Sequence, residues 1–289
     1  MMNKRDFFDE QKRNKHLSYL LVLIIFFILL GIGWIVSAIY DSTLPIIIFT
    51  LIAIIQILIS WYFSDRIVLS ISGAHKVDPN EYPYLYNVVE GLSIAAGIPK
   101  PEVYIIDDDA VNAFATGRDP EHSVVVVTRG LLKTMDREEL EGVIGHEIGH
   151  IRNNDIRFMT LVAVLVGIVN IIAHLAYRSL IHSGRRKNPV LIGIGLLFII
   201  LSPIFANLVR LAISRRREFL ADATSAQLTR YPEGLARALE KLKHLDTHVK
   251  TASDATAHLF IAEPLKKRFY VLFSTHPPLD ERIRRLREM

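Results

Sequence analysis

The sequence predicts an integral membrane protein, mainly α-helical with a small β-sheet, carrying about four membrane-spanning helices in two hairpins. Three observations carry this prediction. Hydrophobic residues make up 51% of the 289-residue chain and are gathered into long uncharged runs. Short β-rich runs at Glu102–Ile106, Ala113–Thr116 and Ser123–Thr128 cluster in one polar stretch. A segment with helical signals carries His146-Glu147-Ile148-Gly149-His150, which reads H-E-x-x-H.

Composition narrows the chemistry further. The mean hydropathy of +0.29 is high for a soluble enzyme. Cysteine is absent, so disulfides, thiolate metal ligands and thiol nucleophiles are excluded, and any metal site must be built from His, Asp and Glu. The net charge of +4 is modest, and the basic residues flank apolar runs. That pattern suits a lipid bilayer and gives no sign of nucleic acid as a partner.

Residues 1–16 form a polar tail with Lys4, Arg5, Lys12, Arg13 and Lys15. Residues 17–63 form the first hairpin: an apolar run from Leu17 to about Tyr40, a short turn at Asp41-Ser42-Thr43, and a second run from Leu44 to about Phe63. A cleavable signal peptide ending at Val36-Ser37-Ala38 is the rival reading. The first run exceeds the roughly 7–15 residues of a signal core, which favours an uncleaved anchor. Basic residues before the first span and none in the turn put the N-terminus in the cytoplasm.

Residues 64–157 are the first part of a soluble catalytic domain. Asp78-Pro79-Asn80-Glu81 opens a helix through Leu85, Val88, Val89, Leu92 and Ile94 that stops near Gly97. The β-rich runs that follow predict a small meander. Asp136 then caps a helix, with Glu139 completing a capping box, and this helix carries His146 to His150 before fraying at Asn153-Asn154. Gly145 and Gly149 share a face and predict close approach of another backbone, such as a strand.

Residues 158–213 form the second hairpin, with Asn170 and His174 in its first run and Pro203 as a kink in its second. The basic loop 182–188 would lie outside if both runs span, so a shallow or re-entrant hairpin stays open as an alternative. His174, near the outer end of its run, reads as an interfacial histidine. Residues 214–289 are polar and helical in pattern, with a looser stretch near Thr251–Thr256, and form the second part of the catalytic domain.

His146 and His150, one turn apart on one helical face, can converge on a cation, and zinc takes such nitrogens at about 2.0–2.1 Å. Glu147 stands beside the first ligand, where a proton acceptor is useful. A catalytic zinc needs a third protein ligand. No histidine follows at the extended spacing, since position 153 is Asn and position 156 is Ile. Glu218-Phe219-Leu220-Ala221-Asp222 offers two acids one helical turn apart: Glu218 as ligand, and Asp222 to orient a ligand histidine. The competing reading is a solvated acidic face beside Arg215-Arg216-Arg217. His16, His75, His122, His182, His244, His248 and His258 show no ligand spacing and read as surface residues.

HEIGH followed by EFLAD after two apolar runs resembles the HtpX family of membrane-integral zinc proteases, relatives of the CAAX prenyl proteases. Asn112-Ala113-Phe114-Ala115, His150-Ile151-Arg152-Asn153-Asn154-Asp155 and Thr275-His276-Pro277-Pro278 extend the resemblance over essentially the whole chain. It implies a gluzincin-type metalloprotease fold, one zinc per chain on His146, His150 and Glu218, Glu147 as base, and Asp222 bracing His146. It also implies that Asn112-Ala113-Phe114-Ala115 is a substrate-binding edge on which Asn112 holds a peptide backbone. His276 matches the family's His-Pro-Pro and is the candidate donor to the tetrahedral oxyanion, against the plainer reading of a helix-entry residue. Arg282, six residues on, would support the site's carboxylates. The implied activity is a cell-membrane endopeptidase of stress response, facing the cytoplasm and cutting membrane proteins or peptides, misfolded or damaged ones included. The alternative from another class is a metal-binding membrane scaffold or sensor without proteolysis. The sequence leaves oligomeric state open.

Overall fold

The computed structural model describes residues 4–167, 215–265 and 277–289. Most of the second expected hairpin, with Asn170, His174 and the basic loop 182–188, lies outside the described residues, as does His276. Four spans are therefore an expectation, and two are seen as helices long and apolar enough to cross a membrane.

These two are α1 (Lys4–Tyr40) and α2 (Leu44–Ile71), joined by a tight turn in which Asp41 takes φ 46. The helix already includes most of the polar tail, because Lys, Arg, Glu and Gln are good helix formers and no Pro or Gly interrupts them. Only 12% and 11% of the apolar windows of α1 and α2 are buried within the chain, which leaves their outer faces to a hydrocarbon solvent. Past Phe63, α2 runs on to Ile71 and packs against the sheet. There Val68 and Leu69 join a buried cluster with Ile106, Phe114, Met159 and Phe260. The hairpin is thus packed directly into the domain that follows.

Helix α3 (Pro83–Ala96) starts later than Asp78 suggested. Asp78 instead accepts the Asn80 N–H in a turn, and Pro83, preset for the first helical turn, starts the helix. Gly97 ends it in the left-handed region at φ 69, a C-cap that a side chain would strain.

The sheet contains β1 (Ala74–Lys76), β2 (Glu102–Ile106), β3 (Ala113–Gly117) and β4 (Ser123–Thr128) in the order β1-β2-β4-β3. It is mixed: β2 and β4 are parallel, and the other pairs antiparallel. The expected meander is corrected by β4. Its run SVVVVT lacks alternation, so both faces need cover, and all six residues are buried in the interior position. Strand β3 is left as the edge.

Helix α4 (Arg129–Thr134) leads into α5 (Arg137–Arg152), the helix of the HEIGH motif. Both halves of its capping box are made: Glu139 N–H donates to Asp136, and Asp136 N–H to the Glu139 carboxylate, at 3.0 and 2.8 Å. A turn at 153–154, with Asn154 at φ 57, separates α5 from the helix over 155–167, α6. Then follow α7 (Arg215–Thr229), α8 (Pro232–His244) and α9 (Leu279–Arg287). Leu140, Val143, Ile144 and Ile148 of α5 sit in the main core with Leu235 and Leu239 of α8.

The glycines of α5 meet a helix, where the sequence suggested a strand. A Cβ on Gly149 would lie 3.1 Å from the Ala221 backbone, and one on Gly145 would lie 2.8 Å from Ser225 Oγ. The two helix backbones can approach only because these side chains are missing. That approach positions the site.

Candidate metal centre

Helix α5 presents His146 and His150 one turn apart, and α7, seated on the glycine face, presents Glu218 and Asp222. All of these side chains are almost fully buried. His146 Nε2 and His150 Nε2 are 3.1 Å apart. Glu218 Oε2 lies 3.8 Å from the first, and Glu218 Oε1 lies 3.5 Å from the second. A tetrahedron with zinc–nitrogen bonds of about 2.0–2.1 Å has edges of roughly 3.3 Å, so these separations match three corners around one cation. Among the described residues this is the group of His and acidic side chains arranged to hold a metal ion.

The outer nitrogens fix the tautomers. His146 Nδ1 lies 2.9 Å from Asp222 Oδ1, and His150 Nδ1 lies 3.0 Å from Asp155 Oδ2. Each imidazole donates Nδ1–H to a buried carboxylate and turns the Nε2 lone pair inward, as a metal ligand must. Arg282, fully buried, donates from Nε and Nη2 to Asp222 at 2.9 and 2.7 Å, and its Nη1 lies 3.5 Å from Glu218 Oε2. The Arg282 guanidinium therefore spans the Glu218 and Asp222 carboxylates, which limits their repulsion in a buried site.

Electrostatics divide the groups. Burial, aided by Arg282, holds His146 down to about 4. For His150, burial works against charging but is outweighed by Asp155 and Glu218, and its pKa is raised to about 9. Burial pushes Glu147 up to about 7. Asp222 is depressed despite its burial, because Arg282 and His146 favour its charged form.

Glu147 is less well satisfied than its neighbours. Among the described residues neither of its oxygens meets a donor at hydrogen-bonding geometry, although the nearby Ala115 N–H favours its charge. A buried carboxylate left open beside a ligand set is costly in a purely structural role. It fits a group whose partner arrives with substrate and water.

Ala115 belongs to the edge strand. Asn112 O accepts the Thr128 N–H, so by antiparallel alternation Ala113, Ala115 and Gly117 direct their backbone groups away from β4. Ala113 O is taken by Ile261 N–H at 2.9 Å, and Gly117 N–H by Thr160 Oγ1 at 3.2 Å. Ala115, between them, faces Glu147.

Asn112 itself is turned inward. Its Nδ2 donates to Thr247 O and Ala262 O, and its Oδ1 accepts from Ala113 and Ala262 N–H. The carboxamide is spent on holding segment 247–262 against the strand, and its side chain is buried rather than offered to a peptide. His258, expected at the surface, is also buried, with Nε2 3.0 Å from Met159 O. Asp155, the partner of His150, shows no helical spacing from it in the sequence. It lies within the quoted run His150–Asp155, and the break at Asn154 is the feature that folds it back.

A buried His-His-carboxylate cluster beside a further carboxylate, facing the edge of a small mixed sheet, is an arrangement that suits a metallopeptidase. The chain belongs to Peptidase family M48, whose model matches residues 79–289, and it is a metalloprotease. It is 49% identical over 288 residues to "Protease HtpX homolog" of Dictyoglomus turgidum, covering 98% of this chain and 95% of that one. The protein of the same description from Caldanaerobacter subterraneus is 43% identical over 300 residues, covering 100% and 99%. Among solved structures, "Crystal Structure of S. mikatae Ste24p" is similar with a TM-score of 0.52 and 22% identity, covering 96% of this chain and 66% of that one. At that identity the likeness concerns the fold alone.

Proposed function

We propose that the chain is a zinc endopeptidase anchored in a membrane, cutting membrane proteins, misfolded or damaged ones included, at the cytoplasmic surface. The observation that carries the reading is Glu147, a buried carboxylate whose oxygens meet no close hydrogen-bond donor among the described residues, beside three matched ligand atoms. Zinc, when bound to His146, His150 and Glu218, supplies a Lewis acid that acidifies water and polarises a carbonyl. Glu147, with a pKa near 7, takes the proton of the attacking water and passes it to the leaving amine nitrogen. Asp222 and Asp155 hold the two imidazoles in the ligating tautomer, and Arg282 keeps Asp222 ionised. Ala115, outward on the edge strand, aligns an extended peptide through its backbone. Asn112 acts at one remove, by positioning that strand. His276 is assigned to the oxyanion on the family resemblance.

The membrane position is supported by chain path. Helix α6 begins at residue 155, just after the second ligand, and opens the first apolar run of the expected second hairpin, while Arg215–Arg217 directly precede Glu218. Both ligand-bearing helices therefore adjoin apolar runs, and arginines suit the head-group level.

The test is Glu147→Gln in the reconstituted full chain. Bound zinc is expected to persist while cleavage of a membrane-protein substrate falls by about 10²–10⁴-fold, the range for loss of a general acid–base group. Full cleavage by this variant would overturn the assignment.

A further inference from the structure

Where α2 leaves its apolar stretch it carries Trp61, Tyr62 and Phe63, followed by Asp65 and Arg66. Tyr19 of α1 stacks on Trp61 with ring centroids 5.9 Å apart, so both helices of the hairpin carry aromatic rings at one level. Such rings mark the boundary between hydrocarbon and head groups. Two arginines of the soluble domain reach this level from separate segments. Arg118, just past the edge strand, stands 5.5 Å over the Tyr62 ring, and Arg157 of α6 stands 5.2 Å over Trp61. Arg66 lies 5.7 Å over Phe63. Arg157 Nε donates to Arg118 O at 2.5 Å, which ties the two together. Among the described residues, Asp119 is the carboxylate paired with these arginines. Asp119 pairs with Arg118 Nε at 3.4 Å and also accepts from the His122 backbone and ring, while Arg118 Nη2 lies 2.7 Å from His122 Nε2, so the charge of Asp119 is shared and Arg118 keeps Nη1 for a phosphate. Tyr62 and Phe63 remain about half exposed.

We propose that Arg118, Arg157 and Arg66, with the rings of Trp61, Tyr62 and Phe63, form a binding site for the phosphate head group of an anionic phospholipid. Arginine forks match phosphate oxygens, and the rings accept the upper acyl chain. The site is coupled to the metal centre through short links. Arg157 lies on the same helical turn as Asp155, which holds His150, and Thr160 on that helix bonds the Gly117 N–H at the end of the edge strand. The proposal rests on reading α1 and α2 as membrane spans, and it does not depend on proteolysis.

The experiment places the full chain in nanodiscs of neutral phosphatidylcholine with or without phosphatidylglycerol and counts retained lipid by native mass spectrometry. A basic side chain at an anionic surface is worth about fivefold in affinity. Wild type should retain phosphatidylglycerol, and Arg118→Gln with Arg157→Gln should lower its retention about 5- to 30-fold. Arg118→Lys with Arg157→Lys should keep most of the preference, and Arg284→Gln with Arg285→Gln, on α9, all of it. Soluble glycerol phosphate should not displace the lipid. Equal retention of both lipids by wild type, or an unchanged preference in the Gln variant, would overturn the proposal alone. Failure of the chain to enter either disc would overturn it together with the membrane reading.

Discussion

The α1–α2 hairpin and the α5–α7 pair are both helix pairs in close approach, and they achieve it for opposite ends. In the hairpin a Cβ on Gly33 would lie 2.8 Å from Phe49 Cβ, and Ala53, Ser60 and Ser64 are the small buried residues of α2. Its outer face shows Ile47, Leu51, Ile55 and Leu58. Small residues at the seam and apolar residues outside suit helices for which lipid is the solvent. In α5–α7 the glycines bring polar side chains together, and the pair buries His146, His150, Glu218 and Asp222 in one place. The hairpin needs only apolar character over a length. The α5–α7 pair needs particular atoms at particular separations, so the same small-residue device suits an apolar hairpin in one case and, in the proposed reading, ligation in the other.

Substitutions should respond accordingly. The largest effect is expected from Ile54→Arg, on the exposed face of α2. A charge at mid-bilayer costs about 2.5–3.5 kcal/mol, roughly a hundredfold against insertion, as read by carbonate extraction of membranes. Next comes the acidity of the metal centre. His150, pushed up to about 9, holds a proton at pH 7 that zinc must displace, whereas His146, held down to about 4, does not. Zinc affinity measured by chelator competition should therefore rise about tenfold per unit from pH 7 to about 9, then level off. Asp155→Asn removes the group that most favours the charged form of His150. It should flatten that slope and weaken zinc binding by about 10- to 100-fold.

A smaller loss is expected from Gly149→Ala. Its methyl group must displace the Ala221 backbone by a few tenths of an ångström, and over-packing of this kind costs about 1–3 kcal/mol, read as lowered Tm and about tenfold weaker zinc binding. The smallest effect is expected from Ile54→Leu, which keeps the hairpin apolar and should leave insertion and activity unchanged. A hairpin as sensitive as the metal pair to that swap would break the contrast.

Local signals made much of this fold legible. The alternating and apolar runs mark β2 and β4 at the observed boundaries, the Asp136–Glu139 box marks the start of α5, and uncharged length marks α1 and α2. Long-range pairing was not legible. Nothing local distinguishes a meander from an order in which β3 crosses to the far side of β4, and the three residues of β1 carry no pattern. The extension of α2 to Ile71 was hidden by Asp65 and Arg66, because the burial of Val68 and Leu69 is against the sheet. In the site, helical periodicity indicated which residues share a face, while the meeting of α5 with α7 rests on contacts far apart in the chain. Asp155 escaped notice because its role depends on a backbone reversal at Asn154.

In the proposed reading, His146, His150 and Glu218 together hold a zinc ion that Glu147 serves without binding. The most direct measurement is zinc stoichiometry and affinity of the purified full chain beside Glu147→Gln and Glu218→Gln. The expected result is one zinc per chain for wild type and for Glu147→Gln, with affinity lowered at least about tenfold in Glu218→Gln. Undiminished zinc binding in Glu218→Gln, or loss of zinc from Glu147→Gln, would contradict the account.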